Sequence, residues 1–285
     1  MKLYLLLSAS ILLETAKNVF SNNFSKKSLK NETDIYKFNT LMYAGSFLVL
    51  MFIRSPAASL FTILLAVLFA VALWFNQYAF LKALKYGPMG FTTFIQGVSL
   101  VIPIIFGALV WNEEIKLQQY ILLAILITSL WLALNIKKGE FDVKWLLFSV
   151  GAMVSMGAIS ILQSVHQMSV HKNELIAFLR TAFLFTVIIN LLGWAMRSKK
   201  EPSCFKLKSS AVPMATFSGI FMGAVHIINL YLAGAMQKII FFPTVNGGLI
   251  FITLISGLVF FKEKLTIKQW IGIIIGTIAL SFIGI

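Results

Sequence analysis

Long apolar runs divided by short polar connections set the pattern of this chain. The runs fall at 3–22, 38–53, 59–83, 88–111, 118–136, 144–166, 174–196, 211–235, 239–261 and 267–285. They do not alternate apolar and polar positions as barrel strands do. Most approach the roughly 20 residues with which a helix crosses the hydrocarbon core of a bilayer. A backbone in lipid must satisfy its own N–H and C=O groups, so each run is predicted to be a helix. The connections at 26–37, 54–57, 112–117, 137–142, 197–210 and 262–268 are short, which makes successive helices antiparallel neighbours. The expected fold class is an all-α integral membrane protein of about ten transmembrane helices. The first run lacks the small-residue cleavage site of a signal peptide and reads as a span.

Composition narrows this further. Of 285 residues, 59% are hydrophobic and 12% charged, with a mean hydropathy of +0.89. Soluble domains carry about 25% charged residues, so an ordinary soluble enzyme, a disordered chain and a coiled coil are all excluded. The net charge of +14 arises from 24 Lys and Arg against 10 Asp and Glu. On a soluble protein it would suggest nucleic acid. Here the cations stand at helix ends, facing lipid headgroups, and no nucleic-acid partner is expected. The connections after spans 1, 3, 5, 7 and 9 hold 17 of them and the opposite side holds 5, with Lys17 and Arg180 inside spans. By the positive-inside rule this puts both termini outside. Cys204 is the single cysteine, so no intrachain disulfide forms and no thiol metal site is suggested. No phosphate-binding loop occurs in the sequence, so no step driven by nucleotide hydrolysis is expected. No cofactor or metal is expected.

An internal repeat runs through the chain at an offset of 150 residues. Gln96-Gly97, Gly107, Glu113 and Gln119-Tyr120 are matched in order by Asn246-Gly247, Gly257, Glu263 and Gln269-Trp270. The chain divides into a first five-helix repeat, 1–137, and a second, 138–285. A unit with an odd number of crossings re-enters the membrane upside down. Inverted repeats of this kind are a common plan of secondary transporters, with the substrate at the midplane between the halves.

These motifs resemble the drug/metabolite transporter superfamily in its ten-span, EamA-like branch. The resemblance rests on Leu81-Lys-Ala-Leu-Lys-Tyr-Gly-Pro88, on Ile102-Pro103, and on Gly107/Glu113 with the repeat at Gly257/Glu263 and Gly272-x3-Gly276. Leu175–Arg180 resembles the arginine-bearing start of the corresponding family helix. Tyr4, Ile11-Leu12 and Glu14 resemble the first helix of the small multidrug resistance proteins, a four-span branch whose membrane glutamate exchanges protons for cationic drugs. Pro88-x-Gly90 resembles the start of that family's third helix. Two departures point away from a purely hydrophobic cation as substrate: Gln96 stands in place of an aromatic, and Lys17 follows Glu14 by one turn. The resemblance implies a topological or gating role for Glu113 and Glu263. It also implies termini on the inside, against the charge count.

Few residues within the spans can carry chemistry. A carboxylate at mid-span costs about 2.5–3.5 kcal/mol to insert, so Glu14 is either a proton or cation site or the partner of Lys17 at i+3. Arg180 can clamp an anionic group with its planar fork or anchor to the interface or another helix. Asn76 and Gln77 belong to a patch with Trp74 and Tyr78, of which only part can face a pocket. They offer amides to a polar solute, or to a neighbouring helix. Gln96 and Asn246 hold matched positions, each beside a glycine, and are predicted near the pseudo-twofold axis in a substrate or gating role. His226 and Asn229 share a helix face, with Tyr231 on the next turn, as a candidate cavity lining or a satisfied core cluster. His166 is expected at the interface only. The glycines 107, 257, 272 and 276 read as packing positions.

The expected function is secondary active transport of a small polar or amphipathic metabolite or drug across a bacterial plasma (inner) membrane, with alternating access. Protons are the candidate coupling ion, and import and efflux both fit. The expected partners are the small-molecule substrate and membrane lipids, and the protein is a monomer or homodimer. The alternative is a flippase for a lipid-linked sugar, with the Arg197–Lys208 loop as headgroup site. An enzyme is not expected, because no cluster of catalytic carboxylates or histidines occurs.

Overall fold

The computed structural model describes residues 2–112, 114, 116–134, 142–198, 209–235, 238–263 and 265–282. Glu113, Cys204 and most of the 197–208 loop lie outside the described residues. The helices are α1 (Lys2–Lys27), α2 (Glu32–Met51), α3 (Leu60–Tyr86), α4 (Met89–Gly97), α5 (Val101–Val110), α6 (Leu117–Leu134), α7 (Val143–Met168), α8 (Leu175–Ser198), α9 (Ala211–Ala235), α10 (Lys238–Phe261) and α11 (Ile267–Phe282). No strand occurs among the described residues. Six helical stretches there are long and apolar enough to cross a membrane. Their outward faces carry exposed apolar side chains such as Leu64, Leu68, Leu109 and Leu192, which suits lipid and not water. The chain is a multi-pass, all-helical membrane protein.

Two elements differ from the pattern read in the sequence. The second helix starts at Glu32 and not at 38, because the Asp34 carboxylate accepts the N–H groups of Lys30 and Asn31, both at 3.1 Å, and caps a polar first turn. The run 88–111 is not one continuous α-helix. A 3-10 turn, Val98–Leu100, separates α4 from α5. Pro103 has no N–H to give the Ser99 carbonyl, and Gly97 resists bending least, so the helix tightens there.

The packing pairs α1 with α9 and α10, α2 with α8 and α9, α3 with α7 and α8, α4 with α10, and α6 with α11. The α2–α9 seam is close. Gly45 and Gly219 meet backbone to backbone, and Ser46 Oγ donates to the Gly219 carbonyl at 2.9 Å. Such bonds between membrane helices contribute about 0.6 kcal/mol on average. Ser46→Ala is therefore expected to lower the Tm in detergent by only a degree or so, read by intrinsic-fluorescence unfolding.

One pair of turns echoes the 150-residue offset. Asn112 and Lys262 are the non-glycine residues with positive φ among those described, both at 52°. After each, a glutamine caps the next helix: Gln119 Oε1 accepts from Lys116 N–H at 3.0 Å, and Gln269 Oε1 from Thr266 N–H at 2.9 Å.

Candidate functional site

A cavity of about 230 Å³ lies in the bundle, walled by α1, α2, α3, α4, α7, α9 and α10. Helix α1 supplies its charges. Lys17 Nζ donates to Glu14 Oε1 at 2.5 Å, one turn apart on the same face. One turn earlier, Ser10 Oγ donates to Asn229 Oδ1 of α9 at 2.6 Å, which ties the α1 wall to the α9 wall.

The opposite wall is an amide chain. Asn76 Nδ2 donates to the Ala152 carbonyl at 2.8 Å and to Ser155 Oγ at 3.2 Å, so α7 fixes its orientation. Gln96 Nε2 donates in turn to Asn76 Oδ1 at 3.3 Å. Gln96 stands at the end of α4, beside the break at Gly97, and the break aims it at Asn76. Gln77 and Thr93 also line the cavity, and Gln77 Nε2 and Thr93 Oγ1 are buried without a partner in the protein. The remaining wall is apolar, including Leu73, Phe80, Met156 and Ile250.

The cavity brings together Glu14, Lys17, Asn76, Gln77, Gln96, His226, Asn229 and Asn246. Gln96 and Asn246, the matched pair of the two halves, face the same space. Arg180 lies elsewhere: its Nη2 donates to the Ile53 carbonyl at 2.6 Å and ties α8 to the end of α2. Tyr231 is 52% exposed on the outer surface of α9. It stands five positions after His226, about 140° around the helix, so the two cannot share a face. Trp74 and Tyr78 also turn away from the cavity, with rings 6.3 Å apart. His166 lies two residues before the end of α7. It is fully buried, stacked on Phe178 at 4.5 Å and 3.4 Å from Thr62 Oγ1.

Sequence reasoning missed Ser10, Asn18, Tyr43 and Thr93 in the lining. Ser10 and Asn18 were within reach of it, because each stands four residues from Glu14 and so shares its helix face. Tyr43 carried no such signal. It is buried, with its hydroxyl on the Leu73 carbonyl at 3.1 Å.

At the end of the bundle that carries Lys26 lies a second constellation. The Glu263 carboxylate, just past α10, accepts the N–H groups of Met89 and of Gly90 (3.2 Å) at the start of α4. Lys26 Nζ donates to the carbonyls of Gly87 at 2.9 Å and Lys85 at 3.4 Å. Burial pushes the Glu263 carboxyl above its ordinary value, although the two N–H groups and Lys26 pull the other way. Gly257 lies directly beneath the carboxyl group, where a side chain would collide with it. The spacing Gly-x5-Glu thus has a physical reading: the glycine makes room for a carboxylate that folds back toward the neighbouring helix terminus. Nearby, Gly90 presses on Leu254, whose Cα would lie 3.1 Å from any added Cβ.

With this geometry in view, comparison with known proteins adds one finding. Residues 18–135 match the EamA-like transporter family. No curated protein matches the chain. The matched stretch runs from the middle of α1 past the end of α6. It contains the 81–88, 102–103 and 107–113 motifs on which the resemblance to the EamA-like branch rests. The family is one of membrane transporters of the drug/metabolite type, not of enzymes.

Proposed function

We propose that this EamA-like chain is a secondary active transporter that carries a small polar or amphipathic metabolite across a bacterial plasma membrane, and that the cavity around Glu14 is its substrate site. The observation that carries the reading is the convergence of Glu14, Lys17, Asn76, Gln77, Gln96, His226, Asn229 and Asn246 on one cavity. A static bundle has no use for unbonded amide and hydroxyl groups at the centre of a membrane, where each is costly. The mixed wall fits a solute with both a cationic and a hydrogen-bonding part: Glu14 binds the cation or a proton, Lys17 competes for Glu14, and Gln77, Thr93 and Asn246 bond the remainder. A space of about 230 Å³ walled by seven helices favours a small solute over a bulky lipid-linked sugar.

The architecture in this proposal is ten spans in two inverted halves, 1–137 and 138–285. The paired turns at Asn112 and Lys262, the equal glutamine caps and the α4–α10 and α6–α11 contacts support it. One half rocks against the other around the cavity and exposes it alternately.

The test is a thermal-shift screen of the purified protein against amino acids, polyamines, quaternary amines and polyols, followed by uptake of the labelled hit into proteoliposomes. At least one class is expected to raise the Tm, because a ligand that binds only the folded state stabilises it. Gln96→Ala and Asn246→Ala are each expected to weaken binding of that compound about tenfold, the loss of one or two hydrogen bonds. Failure of every class to shift the Tm, together with scrambling of labelled lipid by the same vesicles, would overturn the reading in favour of a flippase.

A further inference from the structure

We propose that the buried polar stripe of α1 beyond the cavity, Ser21, Asn22 and Ser25, is the closed half of the solute route, leading from Glu14 and Lys17 to the mouth held shut by Glu263 and Lys26. The inference rests on the transporter reading and identifies where the route runs.

Positions 14, 18, 21, 22 and 25 are spaced by three and four residues, so they form one face of α1. The first two line the cavity. The next three lie past it and are at most 1% exposed. At about 1.5 Å per residue, Asn18 to Ser25 covers about 10 Å, enough to reach from the cavity to the end of the bundle. Ser21 Oγ, both amide atoms of Asn22 and Ser25 Oγ meet no partner. Helix α2 repeats the feature. Asn39 stands one turn from the cavity-lining Tyr43, toward the same end, fully buried and with both amide atoms unpartnered.

A wall built only for permanent closure would be apolar there, as the neighbouring Phe24–Phe38 stack is, with ring centroids 4.1 Å apart. Six polar atoms without partners at membrane depth are a standing cost. That cost makes sense if the surface is wetted in another conformation. The packing agrees on which side is shut. Every residue from Met89 to Ile95 in α4 is buried, whereas Gly107 is the one buried residue of α5 toward the opposite end. The contacts across the mouth join the two halves of the chain: Glu263 holds α4, and Gly90 presses on Leu254 of α10. Opening the route requires both to part.

The test uses Ser21→Cys and Ser25→Cys, nearly isosteric changes, in a Cys204→Ser background that removes the native thiol. Membrane vesicles are treated with a small water-soluble methanethiosulfonate. Leu12→Cys, on the outer face of α1 at 56% exposure, is the lipid-facing control. Both new thiols are expected to react at least about tenfold faster than the control, because the thiolate forms only where water reaches. Adding Glu263→Gln is expected to speed them further. Rates no faster than Leu12→Cys, with or without Glu263→Gln, would overturn the route. Hydrogen–deuterium exchange of the unmodified protein gives a second measure: peptides within 18–28 are expected to exchange ahead of those within 60–73, and equal protection counts against the route. The outcomes separate the two readings. Uptake with unreactive thiols sinks the route alone, while reactive thiols without uptake of any labelled compound sink the transporter.

Discussion

Glu14→Gln is expected to reduce uptake of the solute into proteoliposomes to the leak of empty vesicles. It is also expected to abolish proton release when the solute binds. The carboxylate is the one acidic side chain lining the cavity, so no neighbour can take over its charge. The substitution also leaves Lys17 without its 2.5 Å partner. The pair is only partly buried, with side chains 12% and 23% exposed, so leaving Lys17 unpaired costs less than the about 3–5 kcal/mol of a fully buried pair, yet enough that loss of activity alone would not distinguish transport chemistry from a damaged fold. The double variant Glu14→Gln/Lys17→Met does. It removes both charges, and replacing a whole buried pair is close to neutral for stability. A purely structural pair predicts that the double variant regains both Tm and uptake. A proton or cation site predicts that Tm returns and uptake does not. Recovery of uptake in the double variant would end the assignment of Glu14 as the coupling residue.

The helical plan was legible in the sequence because lipid leaves little choice. Apolar runs of the right length must be helices, and ten runs align within a few residues with the helical stretches, α4 and α5 sharing one run. The differences arise where short-range chemistry overrides hydropathy. Asp34 caps a polar first turn that a hydropathy reading discards, and Pro103 withholds one N–H inside an otherwise uniform apolar run.

The cavity was legible for a related reason. Polar residues are so few at membrane depth that naming them nearly names the lining. Two of the named residues lie outside the lining, for different reasons. Tyr231 was grouped with His226 by proximity in sequence, although five residues turn a helix most of the way to its other side. Arg180 stands on α8, which does not wall the cavity, and its fork is held by the Ile53 carbonyl, a partner 127 positions away that no local pattern announces. The positive-φ turns at Asn112 and Lys262 lie at the same 150-residue offset as the four matched motifs of the sequence, and they directly precede Glu113 and Glu263.

The glycines show what a sequence leaves out most plainly, and they carry the other large expected effect. Gly219→Ala is expected to prevent assembly of the bundle, with little monodisperse protein recovered on gel filtration. A Cβ at 219 would fall against the Met42 carbonyl, 2.9 Å from its carbon and 3.1 Å from Met42 Cα. Those are backbone atoms in the middle of α2 and cannot rotate aside. The two helices would have to separate along their whole seam, losing the Gly45 contact and the Ser46 bond together. Overpacking that local side chains can absorb costs about 1–3 kcal/mol, and here the backbone must absorb it. Gly248→Ala is the control. Its Cβ would come 2.7 Å from Ile11 Cδ1, the tip of a flexible side chain, with the next atom at 3.6 Å. A rotamer change relieves that overlap, so this variant is expected to express and unfold close to wild type. If Gly219→Ala proves as mild as Gly248→Ala, the α2–α9 seam is looser than its geometry implies and does not hold the bundle together.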